Sequence, residues 1–110
     1  MNPADIQRSC QQIKQRLESG DALFLLDVRE PPERAFNSID GSVHIPMGEI
    51  PHRLRELDPD KEIVVYCHHG VRSFQVAAYL KANGFGQVYN LAGGIDAWSV
   101  SVDPAIPRYN

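Results

Sequence analysis

Short apolar segments recur along the chain and are separated by stretches in which apolar residues have helical spacing. Four segments predict β-strands, at residues 22–26, 43–46, 62–67 and 87–91. The segment at 62–67 is the clearest because it is rich in β-branched and apolar residues. Continuous apolar runs, as at 22–26, are typical of strands buried on both faces of a parallel sheet.

Helical spacing predicts a first helix over about residues 3–19, with Asn2 as its cap, Pro3 in the first helical position and Gly20 after its end. Cys10 lies on the apolar stripe of this helix, so we expect it to be a small buried hydrophobe rather than a catalytic residue. That stripe consists of Ile6, Cys10, Ile13 and Leu17.

Further helices are predicted at residues 31–36, 48–57, 72–83 and 95–100. Pro51 is compatible with the helix at 48–57 because it falls in the first turn. Strands and helices therefore alternate, which predicts an α/β fold with a mostly parallel sheet and helices on both faces. We expect a single domain over residues 1–110, with its core at about 3–100 and an extended tail at 101–110.

Composition limits the class of protein. A chain of 110 residues, 43% of them hydrophobic, can build an ordinary soluble core. Its net charge of −3 argues against a nucleic-acid-binding domain, and its two cysteines argue against a disulfide-rich secreted scaffold. The N-terminus lacks the apolar segment of a signal peptide, and no run is long enough to cross a membrane. We therefore expect the protein in the reducing cytoplasm.

Cys67 is the residue best placed for chemistry, because it ends the clearest predicted strand. Ligands of open α/β sheets bind beyond the carboxyl ends of the strands. The loop after Cys67 can turn backbone N–H groups towards the sulfur, and it leads into a helix whose N-terminus is partially positive. Together with the charge of Arg72, these features favour a thiolate and an anion beside it. The candidate site consists of Cys67 as nucleophile and the loop residues His68, His69, Gly70, Val71, Arg72 and Ser73.

Two loop residues have specific predicted roles. Gly70 gives a tight loop the backbone freedom that it needs around a sulfur atom. Ser73 can donate its hydroxyl to the loop or cap the helix. Cysteine phosphatases and arsenate reductases use a related loop with the spacing C-x5-R, whereas Cys67 and Arg72 have the spacing C-x4-R. The shorter loop favours a single sulfur atom over a phosphate.

Other polar clusters favour structural roles. Asp27 and Arg29 end a predicted buried strand, where such a pair fixes neighbouring loops more often than it catalyses acid–base chemistry, so we expect them to support the site. Gly93 and Gly94 favour a tight turn, and Trp98 favours packing. The histidines lack the spacing of a metal site, so we expect no metal; they are His44, His52, His68 and His69.

Four segments resemble the rhodanese (sulfurtransferase) family. The loop CHHGVRS at 67–73 is similar to the family's active-site loop C-x-x-G-x-R-S. In order along the chain, LLDVRE, IDGSVHIP and VYNLAGGIDAW resemble its D-V-R strand, its I-x-G-A-x-x-I-P segment and its L-x-G-G-x-x-x-W signature. Together they cover about residues 22–98. His68 and His69 stand where many relatives carry a basic residue after the cysteine.

The resemblance implies a central, mostly parallel sheet of about five strands and covalent catalysis at Cys67. The thiolate would take the outer sulfur of a donor such as thiosulfate, and the resulting persulfide would pass it to cyanide or a thiol. Loop N–H groups would hold the persulfide, while Arg72 would hold an anionic donor or order the loop. No cofactor, metal, nucleic acid or membrane is implied.

Two further functions stay open. The thiol could relay sulfur between proteins, with a protein thiol as acceptor. A non-enzymatic rhodanese-like module that binds a partner is the other alternative, and such modules commonly lack the cysteine.

Overall fold

The structure is a computed structural model that describes residues 5–110. The strands are β1 Gln7–Arg8, β2 Leu23–Asp27, β3 Val43–His44, β4 Glu62–Tyr66 and β5 Val88–Leu91. The α-helices are α1 Cys10–Glu18, α2 Pro31–Phe36, α3 Val71–Ala82 and α4 Gly94–Ser101, and two short 3₁₀ helices lie at Met47–His52 and Leu54–Glu56. The predicted cap Asn2 and the predicted first helical residue Pro3 lie outside the described residues.

The five strands form one sheet in the order β1-β5-β4-β2-β3, and every neighbouring pair is parallel. This confirms the predicted α/β fold and the sheet of about five strands. β2 leads to β3 on one side, whereas β4 leads to β5 on the other, so the connections diverge between β2 and β4. Ligands of open α/β sheets bind at such a point, beyond the carboxyl ends of the strands. Asp27 and Tyr66 are paired there, and Cys67 follows immediately.

Apolar side chains pack in two clusters, one on each face of the sheet. The first packs α3 against the sheet and includes Val65 and Cys67. The second packs α1 and α4 against the opposite face and includes Cys10 and Val64. Val64 and Val65 belong to different clusters because successive side chains of a strand point to opposite faces. The helices therefore lie on both faces, as predicted, and each cluster contains one cysteine.

The N-terminal segment differs from its prediction. Gln7 and Arg8 form β1 and pair with β5, whereas a helix was expected over about 3–19. The helix begins only after Ser9, which forms a capping box with Gln12. This S-x-x-Q sequence marks the start of a helix at residue 10, and the prediction from helical spacing alone did not use it. Ile6 fits the spacing of the stripe, but it is fully buried in the other cluster, where its carbonyl accepts a hydrogen bond from the backbone N–H of Asn90.

The predicted helix at 48–57 is also wrong as a single element. Two short 3₁₀ helices occupy this region, and Pro51 lies inside the first of them. Proline has no backbone N–H to donate and crowds the preceding turn, so a regular α-helix does not form around it. Ile50 and Leu57 are nevertheless buried in the first cluster, so the predicted apolar face is retained.

Beyond α4 the chain turns at residues 104–106 and returns over the second cluster. Ser99 donates its hydroxyl to the carbonyl of Ile106 at 2.6 Å, which ties this segment to α4. Val102, Ile106 and Tyr109 pack against the cluster. None of the helices within residues 5–110 has both the length and the apolar character needed to cross a membrane.

Candidate active site around Cys67

Cys67 follows the central strand and lies almost completely inside the protein, with 1% of its surface exposed. The loop after it turns back over the sulfur and leads into α3. Its sulfur accepts hydrogen bonds from the Gly70 N–H at 3.1 Å and the Ser73 N–H at 3.4 Å, and the Ser73 hydroxyl oxygen lies 3.3 Å from it. Two backbone N–H groups therefore converge on one sulfur atom, where they can stabilise negative charge.

Gly70 makes this turn possible because it caps α3 in the left-handed region, with φ of +100°. A β-carbon at Gly70 would also come within 3.2 Å of the Gly93 nitrogen. The position therefore needs glycine both for its backbone conformation and for close packing against a neighbouring loop.

Asn90 of β5 binds the active-site loop through hydrogen bonds, and the sequence did not predict this role. It is fully buried, and its Nδ2 donates to the Gly70 carbonyl at 3.1 Å and to Gln7 Oε1 at 2.9 Å. Since both donated bonds fix the amide orientation, Oδ1 faces the Ser73 hydroxyl, which donates to it at 2.5 Å. The one available signal was a polar residue within the apolar segment 87–91.

The N-terminus of α4 binds the backbone of the active-site loop. The N–H groups of Ile95 and Asp96 donate to the carbonyls of Cys67 and His68, at 2.9 and 3.1 Å. Gly94 lies against the same carbonyls, so a β-carbon there would come within about 2.5 Å of Cys67 O. The tight turn predicted at Gly93–Gly94 thus also lets the N-terminus of α4 pack closely against the loop that carries the sulfur.

Arg72 forms a bidentate ion pair with Glu33 of α2, with N–O distances of 2.7 and 2.8 Å. The hydrogen bonds from Arg72 hold the pKa of Glu33 at about 2, against the opposing effect of partial burial. The same bonds raise the pKa of Arg72, and the nearby Cys67 sulfur adds to this effect. Arg72 therefore lies within electrostatic range of the sulfur while its guanidinium is engaged by Glu33.

Tyr109 joins the C-terminal segment to this site. Its hydroxyl donates to Glu33 Oε2 at 2.5 Å and accepts from Arg29 at 3.1 Å. Burial, together with the negative charge of Glu33, raises the pKa of Tyr109 to about 12. Its ring stacks on His68 at 3.9 Å, and its carbonyl accepts a 2.8 Å hydrogen bond from His68 Nε2. Glu33 and Tyr109 were both missed in the sequence because they are far from the loop in the chain.

The remaining loop side chains point away from the sulfur contacts. His69 is exposed, with Nδ1 3.9 Å from a carboxylate oxygen of Asp96. Val71 is also exposed. Neither side chain forms a hydrogen bond to the sulfur, whose donors come from Gly70 and Ser73.

Asp27 and Arg29 form a fully buried ion pair beside the carboxyl end of β4. Arg29 donates to both carboxylate oxygens of Asp27, at 2.9 and 2.8 Å, and to the side chain and carbonyl of Asn37. Burial alone would raise the pKa of Asp27, but the hydrogen bonds from Arg29 and Arg34 lower it. The pair thus joins the end of β2 to the end of α2 and to Tyr109.

The other predicted structural residues are dispersed. Cys10 is buried in the second cluster, where burial raises the pKa of its thiol. Trp98 packs in the same cluster. His44 forms a 2.6 Å hydrogen bond with the Arg29 carbonyl. Within residues 5–110, no three His, Cys, Asp or Glu side chains converge as metal ligands would.

Comparison with known proteins gives consistent results. The rhodanese-like domain family matches residues 9–101. A sulfurtransferase of Allochromatium vinosum is 42% identical over 87 residues, which cover 79% of this chain and 81% of the relative. The thiosulfate sulfurtransferase GlpE of Pseudomonas syringae is 45% identical over 74 residues, which cover 67% of this chain and 70% of GlpE.

A solved structure shows the same architecture. The crystal structure of a rhodanese-like domain protein from Staphylococcus aureus superposes with a TM-score of 0.82 at 30% sequence identity. The superposition covers 96% of this chain and 99% of that chain.

Proposed function

The chain belongs to the rhodanese-like domain family, and on this premise we propose that it is a sulfurtransferase that carries sulfur as a persulfide on Cys67. The observation that carries the proposal is the convergence of two backbone N–H donors, from Gly70 and Ser73, on the buried Cys67 sulfur. A preorganised set of donors stabilises a charged sulfur without reorganisation during the reaction. Family membership and the names of similar proteins support the reaction type.

The proposed reaction has two steps. In the first, the Cys67 thiolate attacks the outer sulfur of thiosulfate, the S–S bond of the donor breaks, and sulfite leaves with the electron pair. In the second, cyanide or a thiolate attacks the outer sulfur of the persulfide, and Cys67 leaves as a thiolate. Neither step needs a cofactor, and with thiolate nucleophiles neither needs a general base.

The loop residues have distinct roles in this proposal. The N–H groups of Gly70 and Ser73 stabilise the negative charge on sulfur. The ion pair between Arg72 and Glu33 fixes the start of α3 against α2, and Tyr109 fixes the side chain of His68. Asp27 and Arg29 support the site by bracing the neighbouring strand and helix ends. His69 and Val71 lie exposed on the loop, where they would contact an acceptor, whether a small thiol or a protein thiol.

The burial of the Cys67 sulfur supports transfer of a single sulfur atom rather than of a phosphate group. Because Cys67 is nearly covered and the loop N–H groups contact its sulfur directly, a donor such as thiosulfate would present only its outer sulfur and would not be enclosed whole, as a phosphate is in a phosphatase loop. A reducing cytoplasm would keep Cys67 available as a thiol between turnovers.

The decisive experiment is mass spectrometry of the intact protein after incubation with thiosulfate. We expect the mass to increase by one sulfur atom, the gain to map to the Cys67 peptide, and cyanide to remove it as thiocyanate. Cys10→Ala is the matched control and should gain the same mass, whereas Cys67→Ser should gain none.

The outcomes separate the alternatives. Persulfide formation without turnover to cyanide or small thiols would favour a relay to a protein acceptor. If no sulfane donor labels Cys67, the sulfurtransferase proposal fails and the protein is a binding module.

A further inference from the structure

The charged side chains around the active-site loop are paired with one another. Arg72 binds Glu33, Arg29 binds Asp27, and Arg34 lies 3.3 Å from the same Asp27 carboxylate. On the other side of the loop, Arg108 binds Asp96. Arg72 and Arg108 are thus each neutralised by one carboxylate, whereas Arg29 and Arg34 share Asp27 and keep one net positive charge between them.

The pair between Arg72 and Glu33 matters most, because Arg72 is the cation of the loop itself. Two of its nitrogens donate to the two Glu33 oxygens, which is the geometry with which a guanidinium would otherwise bind an anionic substrate. A guanidinium engaged in this way has little capacity left for a second bidentate anion, and the pair has no net charge.

Glu33 is held in this position by two further donors. The Glu30 N–H donates to Oε1 at 3.1 Å, and the Tyr109 hydroxyl donates to Oε2 at 2.5 Å. Tyr109 is fixed in turn by its stacking on His68 and its bond from Arg29. The carboxylate is therefore part of a rigid arrangement rather than a mobile surface group.

We propose that Glu33 is a specificity-determining residue that acts as an internal anion on Arg72 and lowers the preference of the site for doubly charged sulfur donors. Tyr109 is the positioning residue that holds Glu33 against Arg72. A singly charged donor gains less from a free guanidinium than a dianion does, so it is disfavoured less by the pair. This inference rests on the proposed function and refines its donor class.

The experiment compares two sulfane donors that differ in charge. Thiosulfate is a dianion, and its sulfur transfer releases sulfite. Methanethiosulfonate is a monoanion of similar shape, and attack of Cys67 on its outer sulfur releases methanesulfinate by the same bond changes. The measured quantity is the ratio of kcat/KM for thiosulfate to kcat/KM for methanethiosulfonate, at low ionic strength with cyanide as acceptor.

Glu33→Gln frees the charge of Arg72 while keeping the size of the side chain. We expect this variant to raise the ratio by about fivefold, through a lower KM for thiosulfate rather than a higher kcat. Salt should reduce the effect, since added ions screen the exposed side of the pair. Glu18→Gln removes the same charge from an exposed position of α1 and should leave the ratio unchanged.

Tyr109→Phe provides a second test that leaves both charges in place. Loss of the hydroxyl loosens Glu33, so the ratio should rise in the same direction but by less. A purely structural role of Glu33 or Tyr109 would lower kcat/KM for both donors equally.

If the ratio of kcat/KM for thiosulfate to kcat/KM for methanethiosulfonate is the same in wild type, Glu33→Gln and Tyr109→Phe, the inference is overturned. If Glu33→Gln does not fold, the Tyr109→Phe ratio decides. Failure of the wild type to accept sulfur from either donor would instead refute the proposed sulfurtransferase activity, so the two failures are distinguishable.

Discussion

Gly94 lies so close to Cys67 that a β-carbon on Gly94 would come within 2.5 Å of the Cys67 carbonyl oxygen. This contact lets α4 donate its first N–H groups to the backbone of the active-site loop. The N-terminus of α4 can therefore pack against the sulfur-bearing loop only because residue 94 has no side chain, and a substitution at this position tests that.

Gly94→Ala should lower the free energy of unfolding by about 2–4 kcal/mol and reduce sulfur transfer, because the new methyl group separates α4 from the loop. Gly20→Ala is the matched control, since Gly20 also has a positive φ but a β-carbon added to it would meet nothing within 4 Å. Gly20→Ala should lose only the stability that a positive φ costs a residue with a β-carbon, and it should keep full activity in a persulfide assay. Equal losses in the two variants would show that the Gly94 contact is unimportant.

Ser73→Ala removes the hydroxyl that contacts the sulfur and binds Asn90, and it should slow persulfide formation by about tenfold. Asn90→Leu should have a similar effect, since Asn90 holds both the Ser73 hydroxyl and the Gly70 carbonyl. Because both side chains act in one network, the double variant should be less impaired than the product of the single effects. Rapid-mixing measurements of single-turnover persulfide formation would give these rates.

Ser99→Ala is the control for loss of a buried serine hydroxyl, which here binds the Ile106 carbonyl away from the sulfur. It should change stability but not the rate. Fully multiplicative effects of Ser73→Ala and Asn90→Leu would argue that the two side chains act independently.

The low pKa of Glu33 predicts a dependence of stability on pH. This pKa is about 2 in the folded protein against an ordinary value of 4.5, chiefly because Arg72 binds the carboxylate. A carboxyl whose pKa falls on folding stabilises the fold above its unfolded pKa, and this contribution is lost as pH falls through the folded pKa. Wild type should therefore exceed Glu33→Gln in stability most at neutral pH, and the difference should shrink between pH 4.5 and about 2.

Urea unfolding at several pH values would measure this difference. Glu18→Gln controls for the loss of one exposed carboxyl. A gap between wild type and Glu33→Gln that stays constant over this range would contradict a role for the ionised carboxylate in stability.

Asp27→Asn leaves the guanidinium of Arg29 buried without its charged partner. Because Arg29 is fully buried, the free energy of unfolding should fall by about 3–5 kcal/mol. Glu56→Gln breaks an exposed ion pair with Arg53 and should scarcely change the unfolding midpoint. Similar midpoints for Asp27→Asn and wild type would refute the bracing role of the buried pair.

The sequence could predict the parts of the site that are contiguous in the chain. The strand at 62–66, the turn at Gly70 and the helix that begins at residue 71 follow one another, so local patterns identify them. The side chains that complete the site come from elsewhere: Asn90 is 17 residues from Ser73, and Glu33 is 39 residues from Arg72. No local pattern shows which distant polar group will meet the loop, because that depends on the packing of the sheet and helices.

The errors in the predicted elements have a similar cause. β1 contains only two residues, Gln7 and Arg8, which is too short for a strand period to be visible. Ile6 and Cys10 are separated by the helical interval of four, although they pack on opposite faces of the sheet. Spacing alone could not distinguish this arrangement from a longer helix.

The two cysteines lie in different apolar clusters, with the sheet between them. A thiol can displace sulfur from a neighbouring cysteine only when the two sulfur atoms can approach each other, and the sheet prevents this within one molecule. Cys10 therefore cannot serve as an internal resolving thiol for a persulfide on Cys67. A sulfur loaded on Cys67 would have to pass to an acceptor other than Cys10, and the supply of that acceptor would set the lifetime of the loaded protein.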